Sequence, residues 1–277
     1  MMMMKSAYAA NIAAARHFLF VPGNRPERFD KAAASGADVV VIDLEDAVPA
    51  PAKAQARDDV RRWLEAGGSA MVRINAIDAP WFAEDLALAH IATLQGLMVP
   101  KAEAGDAIID VARLSPVVAL VETARGVTGI DALAAVPGIV RLAFGTIDFT
   151  LDCDLTASDR QLDPVRLAMT IASTAAGIAA PIDGVTVRFD DPLPVEMAAR
   201  AARSMGFRAK LCIHPAQLSP VAAAMTASEE ELERASRIVA ADRAASGSAV
   251  SLDGEMIDRP IVARAYRLLA EGADGRP

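Results

Sequence analysis

Short apolar runs rich in β-branched residues alternate along the chain with longer stretches whose apolar positions recur at helical spacing. The runs fall at 17–22, 38–45, 70–75, 96–101, 117–122, 140–145, 184–188 and 209–214. Amphipathic or Ala-rich stretches of helical length follow at 26–35, 53–65, 81–93, 123–135, 164–179, 194–204 and 215–223. Several carry Pro near their start, where the missing N–H costs nothing. Eight strand–helix units predict a closed parallel (β/α)8 barrel, a TIM barrel, over 16–226. A doubly wound open sheet is the alternative. It usually announces a Gly-rich phosphate turn after its first strand, and Pro22-Gly23-Asn24-Arg25 is not GxGxxG.

Outside the barrel, residues 1–15 are rich in Met and Ala, lack a Leu/Val core, and read as a flexible N-terminal extension rather than a leader. Residues 227–277 read as a C-terminal helical lid or oligomerisation arm. In it a charged helix over 228–246 opens with Ser228 and Glu231 in capping-box spacing. A small, polar, flexible link spans 247–254, and a last helix covers about 259–271. No apolar run is long enough to cross a bilayer.

Composition narrows the class of ligand. A net charge of −8 argues against nucleic acid, which needs a basic face. It leaves room for an anionic small molecule held by a few focused cations. Hydrophobic residues make up 53% of the chain and aromatics only 4%, which suits small side chains packed between helices and a parallel sheet. The two cysteines, Cys153 and Cys212, read as reduced thiols in a cytoplasmic enzyme.

In such a barrel the chemistry sits where the strands end. Those ends carry Asp43-Leu44-Glu45-Asp46, Arg73-Ile74-Asn75, Lys101, Glu122-Thr123, Gly145-Thr146-Ile147-Asp148, Arg188-Phe189-Asp190-Asp191 and His214. Any one of these could be a solvated loop residue; the set predicts a polar pocket. Glu122 and Asp148, on the fifth and sixth ends, should be neighbours, with Glu45 on the second. An oxygen-rich site with few protein ligands suits Mg²⁺ or Mn²⁺ over zinc. His214, without a second His nearby, is expected to orient a loop.

The same residues resemble the citrate lyase β-chain-like acyl-CoA lyases, part of the HpcH/HpaI aldolase superfamily. The similarity lies in 20-FVPGNRPER-28, 43-DLEDAVP-49, 72-VRIN-75, Pro100-Lys101, 122-ETARG-126, 144-FGTIDF-149, 213-IHP-215 and 253-DGEMID-258. It runs in order from about 17 to 270. The resemblance implies Mg²⁺-dependent retro-Claisen cleavage of a 3-hydroxyacyl-CoA (citramalyl-, malyl- or citryl-CoA-like) to acetyl-CoA and a 2-keto acid. By that resemblance Glu122 and Asp148 hold the metal, Glu45 supports its bound water, and Arg73 contacts the keto-acid oxygens and the thioester carbonyl. The backbone N–H groups of Gly145, Thr146, Ile147 and Asp148 would meet the substrate carboxylate. Asp258 would reach the mouth of a neighbouring subunit in a homotrimer or hexamer.

Lys101 is assigned to charge compensation or ligand contact rather than to a Schiff base. Arg16, Arg25 and Lys31 are the cations expected to meet the thioester's phosphates. Arg188 stands where the resemblance leads one to expect a less basic segment, which leaves the acyl group unnamed. Three alternatives stay open beside the free-standing lyase. They are the β subunit of a citrate lyase complex acting on an acyl-carrier-protein thioester, a malate-synthase-like or thioesterase variant, and a catalytically silent binding protein.

Overall fold

The computed structural model describes residues 2–156, 158–244 and 250–274. The chain divides into two compact units, Met1–Ala222 and Ala223–Pro277, slightly before the boundary expected at 226.

In the first unit the apolar runs become eight strands, β1 (His17–Pro22), β2 (Val39–Asp43), β3 (Ala70–Arg73), β4 (Leu94–Val99), β5 (Val117–Val121), β6 (Ile139–Phe144), β7 (Ile182–Asp183) and β8 (Ala209–Cys212). They pair in parallel in chain order, and β8 closes on β1. Strands buried on both faces read as unbroken apolar runs, and Val-Val-Val-Ile-Asp in β2 and Val-Val-Ala-Leu-Val in β5 are fully buried.

Side chains along a strand alternate between the barrel's interior and its helical jacket. Phe18, Val39, Val41, Met71, Met98, Val118, Leu120, Ala143, Ile182, Ala209 and Leu211 form one interior cluster. Continuing the same parity past the cluster brings Asp43, Arg73, Glu122 and Gly145 to the top of the barrel. Asp43 and Arg73 are also register partners across β2 and β3. The alternation that fills the core therefore also delivers the polar mouth.

Within the stretch expected as a flexible extension, Met2–Ala14 is an α-helix, and its Ile12, followed by Ala15, closes the floor of the interior cluster. Arg141, with the inward parity of Ala143, is fully buried and donates to the carbonyls of Ile12 and Ala15 at 3.2 and 2.6 Å and of Ala180 at 2.6 Å. It thereby satisfies carbonyls that a helix end leaves open. The Ala content of this segment favours the helix.

The seventh strand is Ile182–Asp183, upstream of the run expected at 184–188. Val185 and Val187 alternate as a strand would, but the carbonyls of Thr186 and Arg188 accept from the Gln217 side chain at 2.7 and 3.4 Å. That segment is therefore tied to a side chain beyond β8.

The second unit has its own small core of Ala235, Ile238, Val239, Ile257, Val262 and Ala265. Part of the stretch read as a flexible link is a hairpin, Val250–Leu252 with Glu255–Ile257, turned at Asp253-Gly254, where both residues have positive φ (53° and 82°). Such a turn matches the twist of a two-residue hairpin and favours Asp-Gly; residues 245–249 lie outside the described set. No helix among the described residues is long and apolar enough to cross a membrane.

Candidate active site

A cavity of about 470 Å³ opens at the C-terminal ends of the strands, with Asp43, Asp46, Arg73, Glu122, Gly145 and Asp148 among its lining residues. Most of the remaining wall is apolar, with Phe20, Leu120, Leu211 and Ile213 among its residues.

Arg73 is buried and held from behind. Its Nε and Nη2 donate to the two carboxylate oxygens of Asp43 at 2.7 and 2.6 Å, a bidentate pair, and Nη1 donates to Asp46 at 3.3 Å. Nη1 also lies 3.0 Å from Glu45 Oε2. Burial alone would weaken its charge, but Asp43, Glu45 and Asp46 raise its pKa above the ordinary arginine value. Asp43 is fixed in turn by the N–H groups of Glu45 and Ala47 at 2.9 and 3.1 Å. The three bonds occupy three of the five guanidinium N–H groups.

Glu122 is 1% exposed. Its Oε1 accepts from the Lys101 backbone N–H at 2.8 Å, and its Oε2 is buried without a hydrogen-bond partner. Lys101 adopts a left-handed backbone, φ 48°, in donating that bond, strain of a kind found where a site over-determines the chain. Burial first, then the charge of Glu45, and also that of Asp148, push the Glu122 carboxyl up to about 8. Gly145 makes the close approach possible: a Cβ there would lie 2.3 Å from Glu122 Oε2 and 2.5 Å from its Cβ.

A buried carboxylate oxygen with no donor, facing other carboxylates, is the arrangement a cation relieves. The residues therefore fit a divalent metal, which Glu122 and Asp148 could hold. Among the described residues no group of three or more His, Cys, Asp or Glu could hold an ion, so other positions would fall to water and substrate, as suits Mg²⁺.

A test follows from the raised Glu122 pKa. A carboxyl whose folded value, about 8, exceeds its ordinary 4.5 keeps a proton the unfolded chain has released. Stability is then fully present below the lower value and falls as pH rises through that window. Metal-free protein should lose thermal stability from about pH 5 to 8. Glu122→Gln should remove most of this slope and raise Tm above pH 8; an unchanged slope would contradict the assignment.

Glu45 stays close enough to Glu122 for its charge to raise the Glu122 carboxyl. It is buried but opens on an adjoining cavity with Lys53, Trp81 and Lys101. Its Oε1 accepts from Lys101 Nζ at 2.5 Å. Burial raises its pKa, while Arg73 and then the Lys101 hydrogen bond draw it back. Lys53, buried under Trp81, donates to the carbonyls of Leu44 and Glu45, both at 2.8 Å, and so fixes the β2 loop. Asp85 likewise holds the amide and backbone N–H of Asn75 at 2.6 and 2.9 Å, and Arg57 backs it at 2.9 Å.

The helix Thr146–Asp152 starts at the mouth without a side-chain cap. Thr146, Ile147 and Asp148 form its first turn, whose N–H groups have no partner within the helix. Gly145 is corrected: its N–H donates to Val121 O at 3.0 Å and is not available to a substrate.

The expected cations separate. Arg16 precedes β1, and its carbonyl accepts from Lys210 N at 2.9 Å, which puts it at the opposite end of the barrel from the mouth. Arg25 follows β1 on the mouth side and pairs with Glu27 at 2.6 Å. A second cavity of about 470 Å³ shares Phe20, Pro22 and Ile213 with the first, and carries Lys31 and Arg28. Arg28 was not singled out in the sequence. His214 lines the same groove, where its Nδ1 accepts from Ala216 N at 3.2 Å and its ring stacks on Phe189. Arg188 is exposed and paired with Asp190 at 3.1 Å, whereas Val185 from the same segment lines the main cavity. In the second unit, Asp258 accepts from Ile261 N at 3.3 Å, capping the helix Arg259–Asp274.

A closed parallel barrel with paired carboxylates and one tethered arginine at its C-terminal mouth defines the class, an acidic-mouthed (β/α)8 enzyme. Residues 16–215 match the family model described as HpcH/HpaI aldolase/citrate lyase. The chain belongs to this family and is an enzyme of its carbon–carbon lyase class. It is 35% identical over 278 residues to a citrate lyase subunit beta-like protein of Deinococcus radiodurans, covering 93% of this chain and 97% of that one. It is 32% identical over 274 residues to a (3S)-malyl-CoA thioesterase of Cereibacter sphaeroides, covering 92% and 94%. The crystal structure of protein CitE from Mycobacterium tuberculosis in complex with magnesium, acetoacetate and coenzyme A superposes with a TM-score of 0.84 at 35% identity, covering 94% and 99%.

Proposed function

We propose that this chain is a Mg²⁺-dependent lyase that cleaves a 3-hydroxyacyl-CoA, of citramalyl-, malyl- or citryl-CoA type, to acetyl-CoA and a 2-keto acid. The observation that carries the reading is Glu122 Oε2, buried and unpartnered in the same cavity as Asp148 and the tethered Arg73. The Mycobacterium tuberculosis relative, in complex with magnesium, acetoacetate and coenzyme A, supports it.

Glu122 and Asp148 would hold the metal, which when bound supplies a Lewis acid for the substrate's hydroxyl and carboxylate oxygens. The first-turn N–H groups of Thr146, Ile147 and Asp148 receive the carboxylate. Arg73 turns its remaining N–H groups to the thioester oxygen and steadies it as negative charge collects there. The bond between the hydroxyl-bearing carbon and the acetyl methylene breaks, and its electron pair moves into the thioester. Asp46, which Arg73 holds at 3.3 Å against 2.7 and 2.6 Å for Asp43, is the more loosely held lining carboxylate and would accept the hydroxyl proton. Glu45 and Lys101 hold this side of the mouth through their mutual bond and Glu45's contact with Arg73. Phe20, Leu120, Leu211 and Ile213 exclude water. Arg28 and Lys31 would face the thioester's phosphates along the adjoining groove, with Arg25 following β1 on the same side of the barrel.

The methylene then needs a proton. We assign it to Asp258 from a second copy, in a homotrimer or hexamer whose C-terminal unit acts as the lid. The two free cysteines suit a cytoplasmic setting.

The test is a panel of CoA and acyl-carrier-protein thioesters, with products identified. Acetyl-CoA with a 2-keto acid from CoA substrates supports a free-standing lyase. Free CoA with a hydroxy acid would instead indicate a thioesterase, and cleavage of acyl-carrier-protein thioesters alone a complex subunit. For Asp258 the informative variant is Asp258→Asn, because Asn still caps the last helix while losing the acid. Its kcat should fall about a hundredfold; full activity would remove Asp258 from the reaction.

A further inference from the structure

The two carboxylates at the mouth come from different strand ends, and the sheet fixes only part of their spacing. β5 and β6 are in register up to Val121 and Phe144, and Gly145 N donates to Val121 O. Past that point the chain leaves the sheet on both sides. The Glu122 segment enters the short helix Ala124–Thr128, where Thr123 Oγ1 accepts from Gly126 N at 2.9 Å. The Asp148 segment is the seven-residue helix Thr146–Asp152, with few internal bonds to hold it.

One side-chain bond joins the two segments beyond the sheet. Asp152 Oδ2 accepts from Ala124 N at 2.7 Å. Ala124 is the first residue of its helix, so its N–H has no partner within that helix. Asp152 lies four residues after Asp148, on the same side of the helix one turn along. Ala124 lies two residues after Glu122. The bond therefore spans the two segments that carry the carboxylates.

We infer that Asp152 is a positioning residue whose bond to Ala124 N sets the separation of Glu122 and Asp148 and thereby tunes divalent-cation affinity. The inference rests on the metal reading proposed above. A cap of the Ala124–Thr128 helix alone would affect stability. A brace affects the metal, because groups that orient ligands shift affinity by about 10- to 100-fold when removed.

The bond can be removed from either end. Asp152→Ala deletes the acceptor, and Asp152→Asn keeps an acceptor oxygen while losing the charge. Ala124→Pro deletes the donor at a helix position that accepts Pro. Thr123, at φ −128° and ψ 155°, already has the extended backbone that a residue before Pro requires. Asp152 is exposed and can swing clear of the ring.

Mn²⁺ binding to the full-length protein, followed by electron paramagnetic resonance, reads the effect without turnover. Asp152→Ala and Ala124→Pro should each raise the Mn²⁺ Kd about tenfold. The double variant should be no worse than either single one, and Asp152→Asn should stay within about threefold of wild type. Binding within twofold of wild type in either Asp152→Ala or Ala124→Pro would overturn the brace. So would Asp152→Asn behaving like Asp152→Ala, since charge rather than the bond would then matter. Glu122→Gln and Asp148→Asn separate the two levels. If both retain Mn²⁺ binding, the metal reading falls and the brace with it; if both lose it while Asp152→Ala does not, only the brace falls.

Discussion

Replacing Arg73 with lysine is expected to lower kcat by about 10²- to 10³-fold while the protein still folds. Lysine carries the charge but not the fork. It cannot make two parallel bonds to Asp43 and still turn N–H groups toward the cavity. In the native structure Nε and Nη2 face Asp43 at 2.7 and 2.6 Å, and this pair aims the remaining donors. Arg73→Ala goes further. Asp43 and Glu45 are 3% and 7% exposed, and both would lose a cationic partner. Breaking such a buried pair costs about 3–5 kcal/mol, so a clear drop in Tm should accompany loss of turnover. Steady-state kinetics with thermal melts of both variants check this. Lysine at wild-type kcat would show that the fork is not required.

Gly145→Ala should be nearly as severe for a different reason. Gly145 has φ −86°, so its backbone tolerates a side chain, and the obstacle is space. The new methyl would meet Glu122 Oε2 at 2.3 Å and Glu122 Cβ at 2.5 Å, so the carboxylate or the strand end must move. We expect the Mn²⁺ Kd to rise about a hundredfold, with a loss of about 1–3 kcal/mol in stability from overpacking. Titration of Mn²⁺ against the variant measures the first and chemical denaturation the second. A metal affinity equal to wild type would mean that Glu122 is not a ligand.

Much of the barrel is legible in the sequence because strands buried on both faces need unbroken apolar runs, and those runs end where the polar mouth begins. Glu122, Asp148 and Arg73 stand out for that reason, each adjoining a run at its C-terminal end. The strand alternation carried forward from Val41, Met71 and Leu120 would also have placed Asp43 beside Arg73 and Glu122.

Other features depend on partners distant in sequence. Arg141 reads as an ordinary strand residue until the helix Met2–Ala14 supplies carbonyls for it at the barrel floor. Lys53 looks like a solvated charge at a helix start until the β2 loop closes over it. The valines at 185 and 187 imitate a strand, but Gln217 takes the carbonyls of Thr186 and Arg188. Arg16 adjoins an apolar run like the site residues, but at the strand's beginning, and in a parallel barrel that is the wrong end. Asp152 lies one helical turn past Asp148, and nothing in the sequence links it to Ala124.

In the reading proposed above, the mouth holds a divalent metal between Glu122 and Asp148 and uses it to break a carbon–carbon bond. The most direct test of that reading is product release from citramalyl-CoA and malyl-CoA during a Mg²⁺ titration of wild type and Asp148→Asn. The account predicts acetyl-CoA and the 2-keto acid in equal amounts from wild type, saturating with Mg²⁺ and abolished by a chelator, and none from Asp148→Asn at the same concentrations. Cleavage that persists in the chelator, or in Asp148→Asn with an unchanged Mg²⁺ dependence, would contradict it.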